Sequence, residues 1–404
     1  MMAKELSESI EEIKREKMPV IIFGARTAGE AMFHVCNEAG IKVECFCDNN
    51  LNRTKARVCG LEVVHTGKLN KRYKNAIFLI SAADIRDVVE QLHSLGYSKW
   101  YSCSELLRDF NLSKYKFNVP MEFVEYAVAT AILCHDNYLT PNKLFLRSVD
   151  IIITERCSLK CKNCSNLMQY YKNPVDCDIK ELSQTIDRFC FIVDEVNEFR
   201  VIGGEPFMNK EFDIIIKRLI DEPKVKKIVI YTNGTLVPRE DKIECLKNDK
   251  ILLIITDYGE LSRNLKPLIE ILQQNKIDFY AEKARGWTDC SKIMRHERDI
   301  EQQKEIFRNC CAKNTITLSE GRLYRCPFSA NADRLRAVPD SKNDYIDIFD
   351  KTISINEMKK KIREFLLEKD FLDVCDYCNG RSFGDSEIQP AIQVEKPIEY
   401  KKYD

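Results

Sequence analysis

The chain of 404 residues lacks any long hydrophobic run and any excess of charge of one sign. No apolar stretch approaches the roughly 18 residues that cross a bilayer, and the start, residues 1–17, has a charged amphipathic pattern without the apolar centre of a signal peptide. Lysine plus arginine number 63, as do aspartate plus glutamate, so no overall field favours nucleic acid or an anionic membrane. We therefore expect a cytoplasmic protein that has neither nucleic acid nor membrane as a partner.

Histidine is also scarce, with five scattered residues, which argues against a histidine-rich zinc centre. Cysteine, by contrast, is abundant at 18 residues. Because the cytoplasm keeps thiols reduced, a disulfide framework is not expected, and metal or iron–sulfur ligation is the natural use of these thiols. The length and the ordinary composition predict two or three globular domains.

The N-terminal part alternates strand and helix patterns. A buried strand at residues 18–23 leads into a turn with Gly24, Arg26 and Gly29, and a second strand, 42–46, ends near Asp48. This order is typical of a doubly wound nucleotide-binding unit, in which the turn and the helix N-terminus hold phosphate and the acid bonds a ribose hydroxyl. Arg26 replaces the second glycine of the usual pattern, so a phosphate contact and a degenerate turn both stay open.

This first domain is predicted to cover residues 1–110, followed by a helical connector at 111–145. It resembles the Rossmann domains that bind nucleotide sugars in sugar-modifying enzymes, with the Phe-Gly-Ala of residues 23–25 and the Phe-Cys-Asp-Asn-Asn of residues 46–50 carrying the likeness. The resemblance implies a nucleotide or nucleotide sugar held by Gly24, Arg26, Gly29 and Asp48. A Rossmann domain with a purely scaffolding role is the alternative.

Three thiols, Cys157, Cys161 and Cys164, stand within eight residues, directly after the apolar run 149–153. Three thiolates cannot close a four-iron cubane, so a cluster held here would keep one iron open to a small molecule. The alternative is three cysteines on one buried helical stripe, because positions i, i+4 and i+7 share a face.

Further strands are predicted downstream, and polar or glycine residues follow three of them. The strands are residues 199–202, 228–231, 251–255 and 277–280, and the residues after them include Gly203-Gly204-Glu205-Pro206, Thr232-Asn233 and Asp257. This alternation favours a parallel sheet or an open barrel with its chemistry at the carboxyl ends of the strands.

The motifs Cys157-x3-Cys161-x2-Cys164 and Gly203-Gly204-Glu205-Pro206 together resemble those of the radical S-adenosylmethionine (SAM) enzymes. The resemblance implies a partial (β/α)6 TIM-like barrel at residues 146–305, a 4Fe–4S cluster on the three cysteines and cleavage of SAM to a 5′-deoxyadenosyl radical. It implies an electron donor such as flavodoxin or ferredoxin as a partner. The resemblance further implies that Glu205 bonds the ammonium group of SAM, and that Asn163 stands where the family commonly has an aromatic residue. The implied SAM contacts are Gly203, Gly204, Glu205, Pro206, Asn163, Thr232, Asn233 and Asp257.

A second set of thiols, Cys311, Cys326, Cys375 and Cys378, lies in the last predicted domain, residues 306–404. Four thiolates suit a closed iron–sulfur cubane or tetrahedral zinc, and a β-hairpin at 315–324 is predicted to carry Cys326. The spacing resembles the twitch domain, a shortened SPASM domain, and so implies one auxiliary 4Fe–4S cluster. The glycine spacing favours Cys311 over its neighbour Cys310, which is the possible substitute.

A fully ligated auxiliary cluster leaves no site for substrate, which indicates an electron acceptor and a two-electron oxidation. With a nucleotide-type unit and no apparent leader-binding module at the N-terminus, the expected substrate is a sugar or nucleotide sugar. Cys290 and Tyr324 are candidate catalytic residues that could return a hydrogen atom or deprotonate a radical, and a hydrogen donor at Cys290 would imply epimerisation. The alternatives are a peptide-modifying maturase and a non-catalytic iron–sulfur or zinc scaffold.

Overall fold

The computed structural model describes residues 2–382 and 384–403, and the chain divides into two compact units, residues 1–142 and 143–404. Each unit is built on a sheet whose strands are mainly parallel. Within the described ranges, no helix combines the length and the apolar content that a membrane crossing requires.

The first unit alternates strands and helices as the sequence pattern predicts. Its strands are β1 (Val20–Phe23), β2 (Val43–Asp48), β3 (Arg57–Val58), β4 (Leu61–His65), β5 (Ile77–Ile80) and β6 (Trp100–Ser102). Its helices are α1 (Met2–Arg15), α2 (Thr27–Ala39), α3 (Leu69–Arg72), α4 (Ile85–Ser94), α5 (Cys103–Leu107) and α6 (Met121–Leu139). The sheet order is β3-β4-β2-β1-β5-β6, and every pair is parallel except the β3–β4 hairpin.

Strand β1 is the centre of this unit and is buried on both faces. Ile22 packs in a core that α2 and α6 complete, whereas Ile21 and Phe23 pack in a second core on the other face with residues of α4. The predicted connector at 111–145 contains α6, whose Val124 and Val128 belong to the first of these cores. From β1 the chain first adds strands on one side of the sheet, beginning with β2, and then on the other side, beginning with β5. Sheets of this kind bind ligands in the crevice at the carboxyl end of the strand where the order reverses, which here is β1.

The second unit repeats the strand and helix alternation on a larger scale. Its strands are β7 (Phe145–Ile152), β8 (Glu195–Ile202), β9 (Val225–Thr232), β10 (Ile251–Asp257), β11 (Phe279–Lys283), β12 (Ile316–Ser319), β13 (Arg322–Tyr324) and β14 (Tyr345–Asp347). Its helices are α7 (Ile179–Ile192), α8 (Phe212–Ile220), α9 (Glu240–Ile243), α10 (Leu265–Gln274), α11 (Ile300–Asn309), α12 (Pro327–Arg334) and α13 (Ile355–Leu367).

These strands form one sheet in the order β11-β10-β9-β8-β7-β12-β13-β14. The strands from β11 to β12 are parallel, and β13 and β14 add an antiparallel edge. Because β12 pairs with β7, the sheet continues from the predicted barrel region into the predicted auxiliary region. The predicted hairpin is confirmed: β12 and β13 pair across Glu320 and Gly321, both with positive φ, which suits a tight hairpin turn.

The two faces of this sheet differ in chemistry. Val149, Phe199 and Ile230, each fully buried, turn toward the helices and belong to the large core. The opposite face carries Ile152, Ile202, Tyr231, Tyr324 and Tyr345. It also carries an ion pair between Asp150 and Arg200, in which the guanidinium compensates a carboxylate that is only 1% exposed. The parallel strands therefore rest on an apolar core and keep charged groups on the other side.

Candidate functional site

The three clustered thiols lie in an irregular loop directly after β7. Cys161 is buried, while Cys157 and Cys164 are half-buried. Residues 155–167 form turns and bends rather than helix, so the helical-stripe alternative is wrong. The loop stands at the carboxyl end of the parallel strands, where the residues that follow β8, β9 and β10 also emerge.

N–H groups point at these sulfurs from three different places. The backbone N–H of Leu159 and the side-chain amide of Asn233 approach Cys157 Sγ at 3.5 and 3.7 Å. The side-chain amide of Gln393 donates to Cys161 Sγ at 3.3 Å. Such donors stabilise negative sulfur, as found around the thiolate ligands of iron–sulfur clusters.

The surroundings of the thiol loop are apolar. Burial raises the pKa of all three thiols, to about 11 for Cys161, and the charge of Cys164 raises the pKa of Cys157 and Cys161 further. The three thiols pack with Leu159 of the same loop and with Ala391, Tyr258, Leu261 and Trp287 from other parts of the chain. Three adjacent thiols can ionise in so apolar a site only when a cation offsets their charge, so the residues fit an iron–sulfur cluster.

The glycine pair after β8 accommodates the thiol loop. A Cβ at Gly203 would lie 2.3 Å from the carbonyl oxygen of Thr154, and a Cβ at Gly204 would lie 2.2 Å from that of Arg156. The N–H groups of Gly204 and Glu205 donate to the same two carbonyls at 2.9 Å. The backbone that carries Cys157 thus lies directly against the two glycines that the resemblance marks as SAM contacts.

Gly204→Ala is therefore expected to displace the thiol loop. Overpacking of this kind costs about 1–3 kcal/mol, and the added methyl group would also lie 2.7 Å from Cys157 Cβ. We expect lower iron content and lower SAM cleavage, measured by iron analysis and by the yield of 5′-deoxyadenosine. The control is Gly384→Ala in the same unit, where φ is not left-handed and a Cβ would meet only Ser382 Oγ, at an ordinary contact distance of 3.7 Å. Equal iron content in both variants would contradict the packing role of Gly204.

Glu205 ties the ends of β8 and β9 together. Its carboxylate is fully buried and accepts hydrogen bonds from Thr232 Oγ1 at 2.9 Å, from the Asn233 N–H at 2.8 Å and from the Phe207 N–H at 3.3 Å. Burial raises the pKa of this carboxyl to about 7, although the three hydrogen-bond donors act to lower it. Asn233 then reaches Ser158 Oγ at 3.2 Å. The predicted Glu205, Thr232 and Asn233 thus form one network that supports the cysteine loop.

Other predicted SAM contacts are less clearly joined to the thiols. The Asp257 carboxylate accepts the Gly259 N–H at 2.8 Å and so stabilises its own turn. Pro206 is buried at the start of a short 3-10 helix, and Asn163 is half-buried beside Cys164. Tyr258, which follows Asp257 in the sequence, packs on the thiol loop. Burial and the charges of the three thiols raise the pKa of Tyr258.

Gln393 is a residue that the sequence did not suggest. The segment around it runs beside the thiol loop: the Lys162 N–H donates to Ile392 O at 2.7 Å, and the Val394 N–H donates to Lys160 O at 2.8 Å. The Lys160 N–H donates to Gln393 Oε1 at 2.7 Å. These partners are more than 200 positions apart, and no local motif marks Gln393, so only the tertiary structure reveals the contact.

The second set of thiols groups around Cys310. Burial raises the pKa of Cys326, Cys375 and Cys378, and in each case the charge of Cys310 raises it further. Backbone N–H groups approach the sulfurs of Cys310, Cys326 and Cys378 at 3.4, 3.5 and 3.3 Å. The sequence favoured Cys311, whereas these interactions favour Cys310, which follows the last residue of α11.

Neither thiol set has the compact spacing of a mononuclear zinc site. Zn–S bonds of about 2.3 Å would place tetrahedral thiolates about 3.8 Å apart. Within the described part of the chain, no three cysteine sulfurs all lie within 4.8 Å of one another. A single zinc ion would require the sulfurs of either set to move closer together.

Cys290, one of the two predicted catalytic residues, lies within electrostatic range of both thiol sets. Burial raises the pKa of Cys164 and of Cys378, and the charge of Cys290 raises both values further. Cys378 Sγ also approaches the Cys290 carbonyl oxygen at 3.6 Å. With only 8% of its surface exposed, Cys290 is placed between two groups of candidate ligands.

Tyr324, the other predicted catalytic residue, is 2% exposed, and its hydroxyl donates to the Asp333 carboxylate. Burial and the negative charge of Asp333 raise the pKa of this phenol above its ordinary value. A phenol that keeps its proton can donate a hydrogen bond but cannot act as a base near neutral pH. Tyr324 is therefore suited to holding a proton.

The predicted nucleotide turn of the first unit has a defined geometry. Gly24 has φ +114°, and a Cβ at Gly29 would lie 1.9 Å from the Gly24 carbonyl oxygen, so both positions require glycine. The Asp48 carboxylate accepts the N–H of Ala25 at 3.1 Å, inside the turn itself. Arg26 is exposed at the N-terminus of α2. The first and third glycines thus have the roles of a tight turn and close helix packing, while an arginine side chain takes the place of the second.

The geometry of the second unit agrees with a comparison of the sequence with known families. Residues 151–320 match the family model described as the Radical SAM superfamily. This part of the chain is therefore a radical SAM domain.

Individual relatives share parts of this region. The chain is 28% identical over 149 residues to a GTP 3',8-cyclase of Clostridium acetobutylicum, across 32% of this chain and 45% of that protein. It is 25% identical over 279 residues to a probable GTP 3',8-cyclase of Methanocaldococcus jannaschii, across 61% of this chain and 85% of that protein. The chain thus spans less than half the length of the Clostridium relative. A crystal structure of BtrN in complex with AdoMet and 2-DOIA is similar over 58% of this chain and 93% of that chain, with 18% identity and a TM-score of 0.38.

Proposed function

We propose that this protein is a radical SAM enzyme that oxidises a sugar or nucleotide-sugar substrate by hydrogen abstraction. The observation that carries this proposal is the presence of two separate thiol sets, one with three members and one with four. Three thiolates leave one iron of a cubane open for SAM, and four leave none. A closed second cluster could accept an electron from the substrate radical that forms after hydrogen abstraction, and this favours a net oxidation of the substrate.

In this proposal Cys157, Cys161 and Cys164 hold the first cluster, and Cys310, Cys326, Cys375 and Cys378 hold the second. When bound, the open cluster supplies the electron that cleaves SAM to a 5′-deoxyadenosyl radical, and the closed cluster supplies an electron acceptor.

The chain's own residues position these groups and exclude water. The Glu205, Thr232 and Asn233 network fixes the strand ends below the first thiol loop. Tyr258 and Trp287, whose rings meet edge to face with centroids 5.9 Å apart, pack on that loop and keep it apolar. Loss of the hydroxyl proton of a carbinol requires a base, and because Tyr324 keeps its own proton, the base is another group.

The first unit supports a substrate that contains a nucleotide. Its glycine turn and the exposed Arg26 stand at the carboxyl end of β1, where sheets of this order bind phosphate. The similarity to GTP 3',8-cyclases favours a second candidate substrate, a purine nucleotide that is cyclised. Both candidates share the nucleotide and differ in the fate of the substrate.

The test uses the full-length protein with iron and sulfide reconstituted under anaerobic conditions, plus SAM and dithionite. Nucleotide sugars, free sugars and GTP are offered separately. We expect 5′-deoxyadenosine in each productive case, with a nucleotide sugar converted to a product that has lost two hydrogens. Conversion of GTP to an isomer of the same mass would favour cyclisation instead, and no 5′-deoxyadenosine with any substrate would count against the enzyme.

The nucleotide part is tested by thermal shift with the same ligands. A nucleotide that binds only the folded protein raises Tm. We expect this rise to be reduced in Arg26→Ala and kept in Arg15→Ala, another exposed arginine of the first unit. An identical rise in Tm in both variants would show that Arg26 does not contact the nucleotide.

A further inference from the structure

A cluster of potential metal ligands in the first unit belongs to neither thiol set. Glu30 and His34 lie one turn apart on α2, and Cys59 lies in the tight turn between β3 and β4. A carboxylate oxygen, an imidazole nitrogen and the thiol sulfur all lie within 4.8 Å of one another. These are three of the atom types that zinc binds in proteins.

The imidazole of His34 is held in place by aromatic rings and has an unused nitrogen. The ring stacks on Tyr115 with centroids 4.2 Å apart and meets Phe117 edge to face at 5.5 Å. Its Nε2 atom is buried and has no hydrogen-bond partner among the described residues. A buried polar atom without a partner is unfavourable, and a metal ion would satisfy it. Burial lowers the pKa of His34, which keeps the ring neutral and its lone pair available.

Cys59 occupies a position that ordinarily selects another residue type. Its φ is +50° and is followed by Gly60 at +79°, a turn in which asparagine or glycine is preferred. The Glu30 carboxylate faces it: burial and the charge of Glu30 raise the pKa of the thiol to about 11. A divalent cation between the two groups would favour the thiolate over the thiol and would attract both negative ligands.

We propose that Glu30, His34 and Cys59 form a Zn²⁺ site that joins α2 to the β3–β4 turn. Thiolate, neutral imidazole and carboxylate together balance the charge of the ion, and the Cys59 proton leaves to solvent when the metal binds. All three residues are half-buried, and a water molecule would complete the tetrahedral coordination of the ion. The proposal does not depend on the function proposed for the radical SAM domain.

The test uses full-length protein whose iron–sulfur clusters have been reconstituted and whose loosely bound metal has been removed by dialysis against a chelator. One equivalent of Zn²⁺ is added, and bound zinc, iron and Tm are measured together. Co²⁺ serves as a spectroscopic probe, because a single thiolate ligand gives a charge-transfer band in addition to the visible bands of a tetrahedral ion. The variants are Cys59→Ser and Glu30→Gln, with His93→Gln as a control at an exposed histidine of α4.

We expect about one zinc per chain in the unchanged protein and in His93→Gln, with affinity reduced at least about tenfold in Cys59→Ser and Glu30→Gln, since loss of one ligand is costly. The thiolate-to-cobalt band should disappear in Cys59→Ser alone, and iron content should stay constant throughout. Equal zinc affinity in all four proteins, or a thiolate band that persists in Cys59→Ser, would show that other thiols bind the ion and would overturn the proposal.

Discussion

Replacing Cys157, Cys161 or Cys164 with alanine is expected to abolish SAM cleavage and to remove about four of about eight irons. The expected loss is at least about a thousandfold in the rate of 5′-deoxyadenosine formation, equivalent to about 4 kcal/mol in the barrier. The reason is the position of these sulfurs: they share an apolar loop, receive N–H donors from Asn233 and Gln393, and lie at the end of β7.

The matched control is Cys190→Ala. Cys190 is 2% exposed in the core between α7 and the sheet of the same unit, so it controls for the general effect of removing a buried thiol. We expect Cys190→Ala to keep all iron and most of the SAM cleavage. If the three loop variants kept as much iron as Cys190→Ala, the first thiol set would not hold a cluster.

Replacing Cys310 with alanine is expected to separate the two clusters functionally. Iron content should fall from about eight to about four per chain, while 5′-deoxyadenosine is still formed and the oxidised product is lost. The physical reason is that Cys310, Cys326, Cys375 and Cys378 influence one another electrostatically and three of their sulfurs receive backbone N–H groups.

Cys311→Ala is the adjacent control for this experiment. Both thiols are half-buried, and they differ by one position in the chain, so a general loss of stability would affect both variants similarly. We expect Cys311→Ala to keep about eight irons and to make product. The reverse outcome, with iron lost only in Cys311→Ala, would restore the assignment that the glycine spacing favoured.

The Cys310 and Cys311 pair illustrates where sequence reasoning reached its limit. Spacing to Gly321 and Cys326 is a one-dimensional quantity, and it cannot tell which of two neighbouring side chains points toward a common centre. Cys310 follows the last residue of α11 with an extended backbone, φ −74° and ψ 121°, and successive side chains of extended backbone point in opposite directions. Only one of the two thiols can therefore face Cys326, Cys375 and Cys378.

The glycine pair after β8 illustrates a second limit. The motif located Gly203 and Gly204 correctly at a strand end beside the cysteines, because strand alternation is visible in the apolar pattern. What each glycine makes room for was not visible. Neighbouring parallel strands bring the β7 and β8 loops together, and the closest atoms turn out to be the carbonyls of Thr154 and Arg156.

The amino-acid sequence by itself determined the strand and helix alternation, the two thiol sets and the glycine turn after β1, because these depend on local periodicity and on residue spacing. The tertiary structure alone decided the roles that depend on distant partners. It brought Gln393 to Cys161, placed Tyr258 rather than Asp257 against the thiols, and selected Cys310. Such contacts depend on how strands pair and how loops cross, and the same short motif is compatible with many such arrangements.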